Sequence, residues 1–157
     1  MNTITVQGYV SIFAFGKTID CTCLVRNEIN GLRGKCEVVY STLADGTQGY
    51  PYYPRQFPKG TWNVFAPLPR TGPYEAPWFI PTDAHQSVQT WELDADGCYA
   101  QPAPGIVVED YAYGLHHSVA RETYGCIKIA TAEDVVWIAQ EIAARLKAGE
   151  GVQVVVT

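Results

Sequence analysis

The sequence predicts a mostly β protein with one amphipathic helix near the C-terminus and a last strand after it. Three observations lead there. Short runs rich in β-branched and aromatic residues recur between turn signals over most of the chain. Apolar residues take a helical spacing in one stretch only, between Thr131 and Gly149. A β-branched run, Val152–Val156, follows that stretch. Many strands, one packed helix and a closing strand make a β-rich fold with a single helical layer.

Residues 3–15 (TITVQGYVSIFAF) alternate apolar and polar side chains and read as one strand. Residues 21–26 and 36–42 read the same way, with Asn30 and Gly31 as the turn between them. Asp45, Gly46, Gly49, Pro51, Pro54, Pro58 and Gly60 make residues 43–60 a loop that leads into a strand at 61–65. Pro67, Pro69, Gly72, Pro73 and Pro77 mark a second loop before a strand at 78–80. Residues 81–105 are irregular, and 106–108 and 125–130 are short strands. Thr131 is a good N-cap, with Asp134 three residues on in an acidic form of the capping box. Val135, Ile138, Ala139, Ile142 and Leu146 then form the apolar stripe, and Gly149 past Lys147 is the stop.

The chain has 157 residues, enough for one domain spanning 1–157 with a core that needs no staples. A composition 47% hydrophobic and 17% charged excludes a disordered chain. The net charge of −5, with eleven Lys plus Arg spread thinly, offers no basic face for nucleic acid. No run approaches the ~18 apolar residues of a membrane span. The first residues, MNTITVQG, lack a basic n-region and an apolar h-region, so no Sec-type signal is expected. Such a chain works in the cytoplasm, leaves by a route that needs no such signal, or has had its signal removed. The five cysteines (Cys21, Cys23, Cys36, Cys98 and Cys126) allow five reduced thiols or two disulfides and one free thiol.

The chemistry lies in residues 113–129, YGLHHSVARETYGCIKI. Two histidines, His116 and His117, precede Cys126, which follows Gly125. A thiolate is the reactive form of cysteine, and a neighbouring imidazole can take its proton and stabilise the anion. Glycine before the nucleophile leaves room for substrate and lets backbone N–H groups turn toward an oxyanion. The pair can meet if residues 119–123 loop between two adjacent strands. The bland alternative is a packed, inert cysteine beside hydrogen-bonded histidines. Adjacent strand histidines face opposite ways and no third ligand stands at metal spacing, so neither a metal nor another cofactor is expected.

Gly114, Leu115 and His116, followed by Thr123-Tyr124-Gly125-Cys126-Ile127-Lys128-Ile129, resemble the signature of the L,D-transpeptidase catalytic domain. In that family a Gly-x-His segment precedes a Ser/Thr-x-Gly-Cys strand, then a helix, a glycine and a terminal strand. Pro58-Lys59-Gly60-Thr61-Trp62 is similar to an upstream strand of the family, with Thr61 inserted before the aromatic. The resemblance covers roughly residues 36–157. This sequence departs at Tyr124, where the family usually has histidine, at Lys128, where it has arginine or asparagine, and in a shorter His-to-Cys loop. The shorter loop is similar to divergent, effector-like branches.

The resemblance implies a β-rich L,D-transpeptidase-like fold. It also implies acyl transfer on peptidoglycan peptide stems through a Cys126 thioester, with an amine, a D-amino acid or water as acceptor. His116 or His117 is the implied base, held by a backbone carbonyl rather than a carboxylate. The Gly125 and Cys126 backbone N–H groups serve the oxyanion. Lys128, Tyr124, Ser118 and Tyr113 become substrate-binding candidates, with Lys128 holding the acidic stem. Tyr111, Trp78 and His85 line the groove or belong to the core. The implied place of action is the periplasm or cell wall, with an immunity or delivery protein as a further partner of an effector.

Three rivals stand beside this reading. One is a thiol peptidoglycan hydrolase with cysteine before histidine, which all three histidines argue against unless Cys98 is the nucleophile. Another is a non-catalytic binding or structural β-domain, such as a phage component. The third is an extracellular module stapled by disulfides.

Overall fold

The computed structural model describes residues 2–22, 41–42, 48–49, 57–73, 75–89, 107–111, 113–119 and 126–157. Of the strands expected at 21–26 and 36–42, residues 21–22 and 41–42 are described, as strand; the rest of both, and the turn at Asn30 and Gly31, lie outside the described residues. Among the described residues the mostly β class with one C-terminal helix and a last strand is what forms, as a curled sheet in a half-barrel.

Residues 3–15 form two strands rather than one, β1 (Asn2–Gln7) and β2 (Ser11–Ala14), paired antiparallel. Gly8 and Tyr9 turn the chain at φ values of 59° and 58°, and the Val10 N–H donates to the Gln7 carbonyl. Ile4, Val6, Ile12 and Ala14 are all buried. All four are even-numbered, so the apolar alternation runs unbroken through the turn and hides it from the sequence pattern. Phe15 and Gly16, also at positive φ, make a two-residue turn into β3 (Lys17–Thr22).

The remaining strands are β4 (Ser41–Thr42), β5 (Gln48–Gly49), β6 (Gly60–Asn63), β7 (Leu68–Pro69), β8 (Trp78–Pro81), β9 (Gln86–Gln89), β10 (Val107–Asp110), β11 (Gly114–His117) and β12 (Ile127–Ile129). The helix α1 (Ala132–Lys147) and the strand β13 (Val152–Val156) end the chain. Part of the segment read as irregular, residues 86–89, is strand β9, which pairs with β10 in a separate ribbon. The main sheet has the order β6-β13-β1-β2-β3-β12-β11-β8-β7.

The helix forms where its apolar spacing and caps foretell. The Thr131 hydroxyl accepts from the Asp134 N–H at 3.1 Å, and Gly149 leaves the last turn at a φ of 81°. Val135, Ile138, Ala139 and Ile142 are its buried residues. They pack over β8, β11, β12 and β13, where Ile80, Leu115, Ile127, Ile129 and Val154 are fully buried. Each such side chain contributes about 1.5–3 kcal/mol on burial. The helix therefore covers one face of the β8–β11–β12 region, and alternate residues of those strands face the other way.

Candidate functional site

Strands β11 and β12 lie side by side and parallel, with Leu115 opposite Ile127, His116 opposite Lys128 and His117 opposite Ile129. Partners in a ladder share a face. Leu115, Ile127 and Ile129 belong to the core under α1, and His117 shares their face. His116 and Lys128 share the opposite face. Cys126 lies immediately before β12 and two residues before Lys128, where a continued alternation would bring its side chain to the His116 face. A strand spacing of ~4.8 Å and a two-residue offset put the Cys126 and His116 Cα atoms roughly 8 Å apart. The two side chains can span that separation.

The His116 Nδ1 lies 3.0 Å from the His117 carbonyl oxygen. A carbonyl only accepts, so the neutral ring carries its proton on Nδ1 and presents Nε2 as the acceptor. His117 makes the same kind of bond, from Nδ1 to the Ile129 carbonyl at 2.9 Å. Both rings are thus held by backbone, and they differ in the face they serve. His116 is 5% exposed, Cys126 9% and Ser118 3%. Cys126 is a thiol, not half of a disulfide, as is Cys21 in the core. Cys23, Cys36 and Cys98 lie outside the described residues.

Lys128 is half-buried, and the cost of desolvating its ammonium pushes its pKa below the usual value. Opposite His116 on its other side stands Phe79 of β8. Its ring centre is 6.1 Å from that of His116. Gly114 makes room for this ring: a Cβ there would lie 2.6 Å from the Phe79 ring and 2.5 Å from the Ile80 carbonyl oxygen. The Arg70 guanidinium sits 5.9 Å from the Phe79 ring centre. Sequence patterning gives no sign of Phe79 or Arg70, because the β7–β8 hairpin, not a motif, carries them to the site.

The other expected site residues divide. Gly125 and Tyr124 lie outside the described residues. Tyr113 is core: it is 1% exposed, packs edge-on against Phe57, and its hydroxyl accepts from the Gln86 amide at 2.8 Å. Trp78 pairs with Pro69 in the β7–β8 ladder, out of phase with Phe79, and packs against the core.

His85 belongs to a separate cluster. Its Nδ1 pairs with the Glu109 carboxylate, whose other oxygen accepts from the Ser87 hydroxyl at 2.7 Å. The ring stacks on Tyr111 at 5.5 Å and meets Trp62 edge-on at 5.2 Å. The hydrogen bonds from His85 and then Ser87 hold the Glu109 carboxyl below its usual pKa.

Among the described residues no group of three or more His, Cys, Asp or Glu could hold a metal ion, and no helix is long and apolar enough to cross a membrane. Compared with protein-family models, curated proteins and solved structures, the chain matches none.

Proposed function

We propose that the chain is a cysteine acyltransferase of the L,D-transpeptidase kind, acting on peptidoglycan peptide stems with Cys126 as nucleophile and His116 as base. One observation carries the reading: His116 and Lys128 are register partners on one face, with Cys126 immediately before β12 and His116 Nδ1 tied to a backbone carbonyl. That tie leaves Nε2 as the basic atom and needs no carboxylate partner. His117 faces the core side and is the weaker candidate.

In this reading Nε2 of His116 takes the Cys126 proton, and the sulfur attacks the carbonyl before the terminal D-residue of the stem. The Cys126 backbone N–H serves the tetrahedral oxyanion. When the C–N bond breaks, the imidazolium gives its proton to the departing amine. The thioester on Cys126 then passes to an amine, a D-amino acid or water. Lys128, one strand step from His116, holds a stem carboxylate. Its partial desolvation strengthens that attraction.

A second reading, a packed cysteine in a non-catalytic binding or structural β-domain, draws support from the small exposure of Cys126 and His116. The two readings part in one experiment. Purified tetrapeptide fragments of peptidoglycan are incubated with the protein and with Cys126→Ala, and products are read by mass spectrometry. Loss, exchange or crosslinking at the terminal D-residue, dependent on Cys126, supports acyl transfer. Intact fragments with both proteins support the packed cysteine.

A further inference from the structure

We infer that Arg70 is a second anion-binding residue of the Cys126–His116 site, and that Glu75 occupies it in the absence of substrate; the inference rests on the acyl-transfer reading. Three observations lead to it. The Arg70 guanidinium and the His116 imidazole lie against one ring, Phe79, with centres 5.9 and 6.1 Å away. Lys128 stands on the opposite side of His116 in the same ladder. A chain of net charge −5 thus sets a cation on each side of its imidazole.

The third observation is what Arg70 holds now. Its Nε lies 3.5 Å from a Glu75 oxygen, with both side chains over two-fifths exposed (41% and 44%). An exposed pair of this kind contributes little to stability and exchanges readily. Glu75 is carried on the same hairpin, which is closed by the Arg70 N–H donating to the Pro77 carbonyl at 2.9 Å. That hairpin is fastened to the end of β11 by the Val119 N–H donating to the Pro73 carbonyl at 3.1 Å. The Glu75 carboxylate therefore marks a position that a ligand carboxylate can take, on the hairpin whose Phe79 ring lies against His116. A guanidinium suits this role because its planar fork can grip a carboxylate with two parallel bonds. The substrate implied is a peptide with two carboxylates, one toward Lys128 and one toward Arg70.

The test uses two stem-peptide donors that differ in one group, a side-chain carboxylate or its amide. The ratio of kcat/KM for acid over amide is measured for wild type, Arg70→Gln and Glu75→Gln. The expected result is a preference for the acid that falls on the order of tenfold in Arg70→Gln, the loss of one charged hydrogen-bonding partner. In Glu75→Gln, where the internal competitor is gone, the preference rises. A ratio equal in all three proteins overturns the role of Arg70 and leaves the acyl-transfer reading intact. Failure of folded wild-type protein to turn over either donor overturns that reading and this inference with it.

Discussion

His116 and Lys128 are register partners across the parallel β11–β12 pair, so the imidazole and the ammonium rise from one face one strand step apart. The next pair, His117 and Ile129, faces the opposite way. Two adjacent histidines with the same backbone-tied Nδ1 are thereby separated by strand alternation alone.

The first prediction follows from that separation. His116→Ala lowers turnover of a stem-peptide donor by about 10²–10⁴, the usual contribution of a positioned acid–base group. His117→Ala lowers it by less than about tenfold, through packing near Ile129 rather than proton transfer. Steady-state rates of the two variants decide the matter, and a larger loss in His117→Ala would reverse the assignment.

Gly114→Ala tests the packing that sets the His116 ring. The added Cβ meets Phe79 at 2.6 Å and the Ile80 carbonyl oxygen at 2.5 Å. Backbone cannot give way cheaply, so overpacking costs about 1–3 kcal/mol, read as a lower urea midpoint. Phe79→Leu, which replaces the ring with a smaller aliphatic side chain, relieves part of the loss in the double variant.

Removing the helix contacts should separate core from cap. Ile142 is fully buried, and Ile142→Ala destabilises by about 2–5 kcal/mol. Thr131→Ala removes the bond to the Asp134 N–H and costs about 1 kcal/mol. Both are measured by denaturant unfolding, and equal losses would contradict the packing described.

The His85–Glu109 pair predicts a pH dependence. The folded-state pKa of Glu109 lies below its usual value of 4.5, chiefly through the His85 hydrogen bond. Its stabilising effect is therefore present above the unfolded pKa and is lost as pH falls through the lower folded one. Glu109→Gln should flatten the acid side of the Tm profile and leave its shape near neutrality. A profile that stays as steep as wild type would remove Glu109 from the account.

The sequence announced the helix, its caps and β13 because apolar spacing and capping chemistry are local. Residues 114–117 and 126–129 were legible as the candidate segment for the same reason. The choice between His116 and His117 was not, because it depends on which face α1 covers, and that is decided by packing with β8 and β13. The turn at Gly8 and Tyr9 was hidden by an alternation that keeps its phase through it. Phe79 and Arg70 left no trace in the pattern, since Phe79 reaches His116 through the β8–β11 pairing and Arg70 reaches Phe79 through the β7–β8 hairpin.

An acyl group carried on Cys126 during turnover is read from the intact mass of the protein. Protein mixed with a tetrapeptide stem donor is quenched in acid during turnover and weighed, beside Cys126→Ala. Acyl transfer gives an added mass equal to the donor minus the released free D-amino acid, located on Cys126 and absent from the variant. Folded protein that shows neither this adduct nor any product would contradict it.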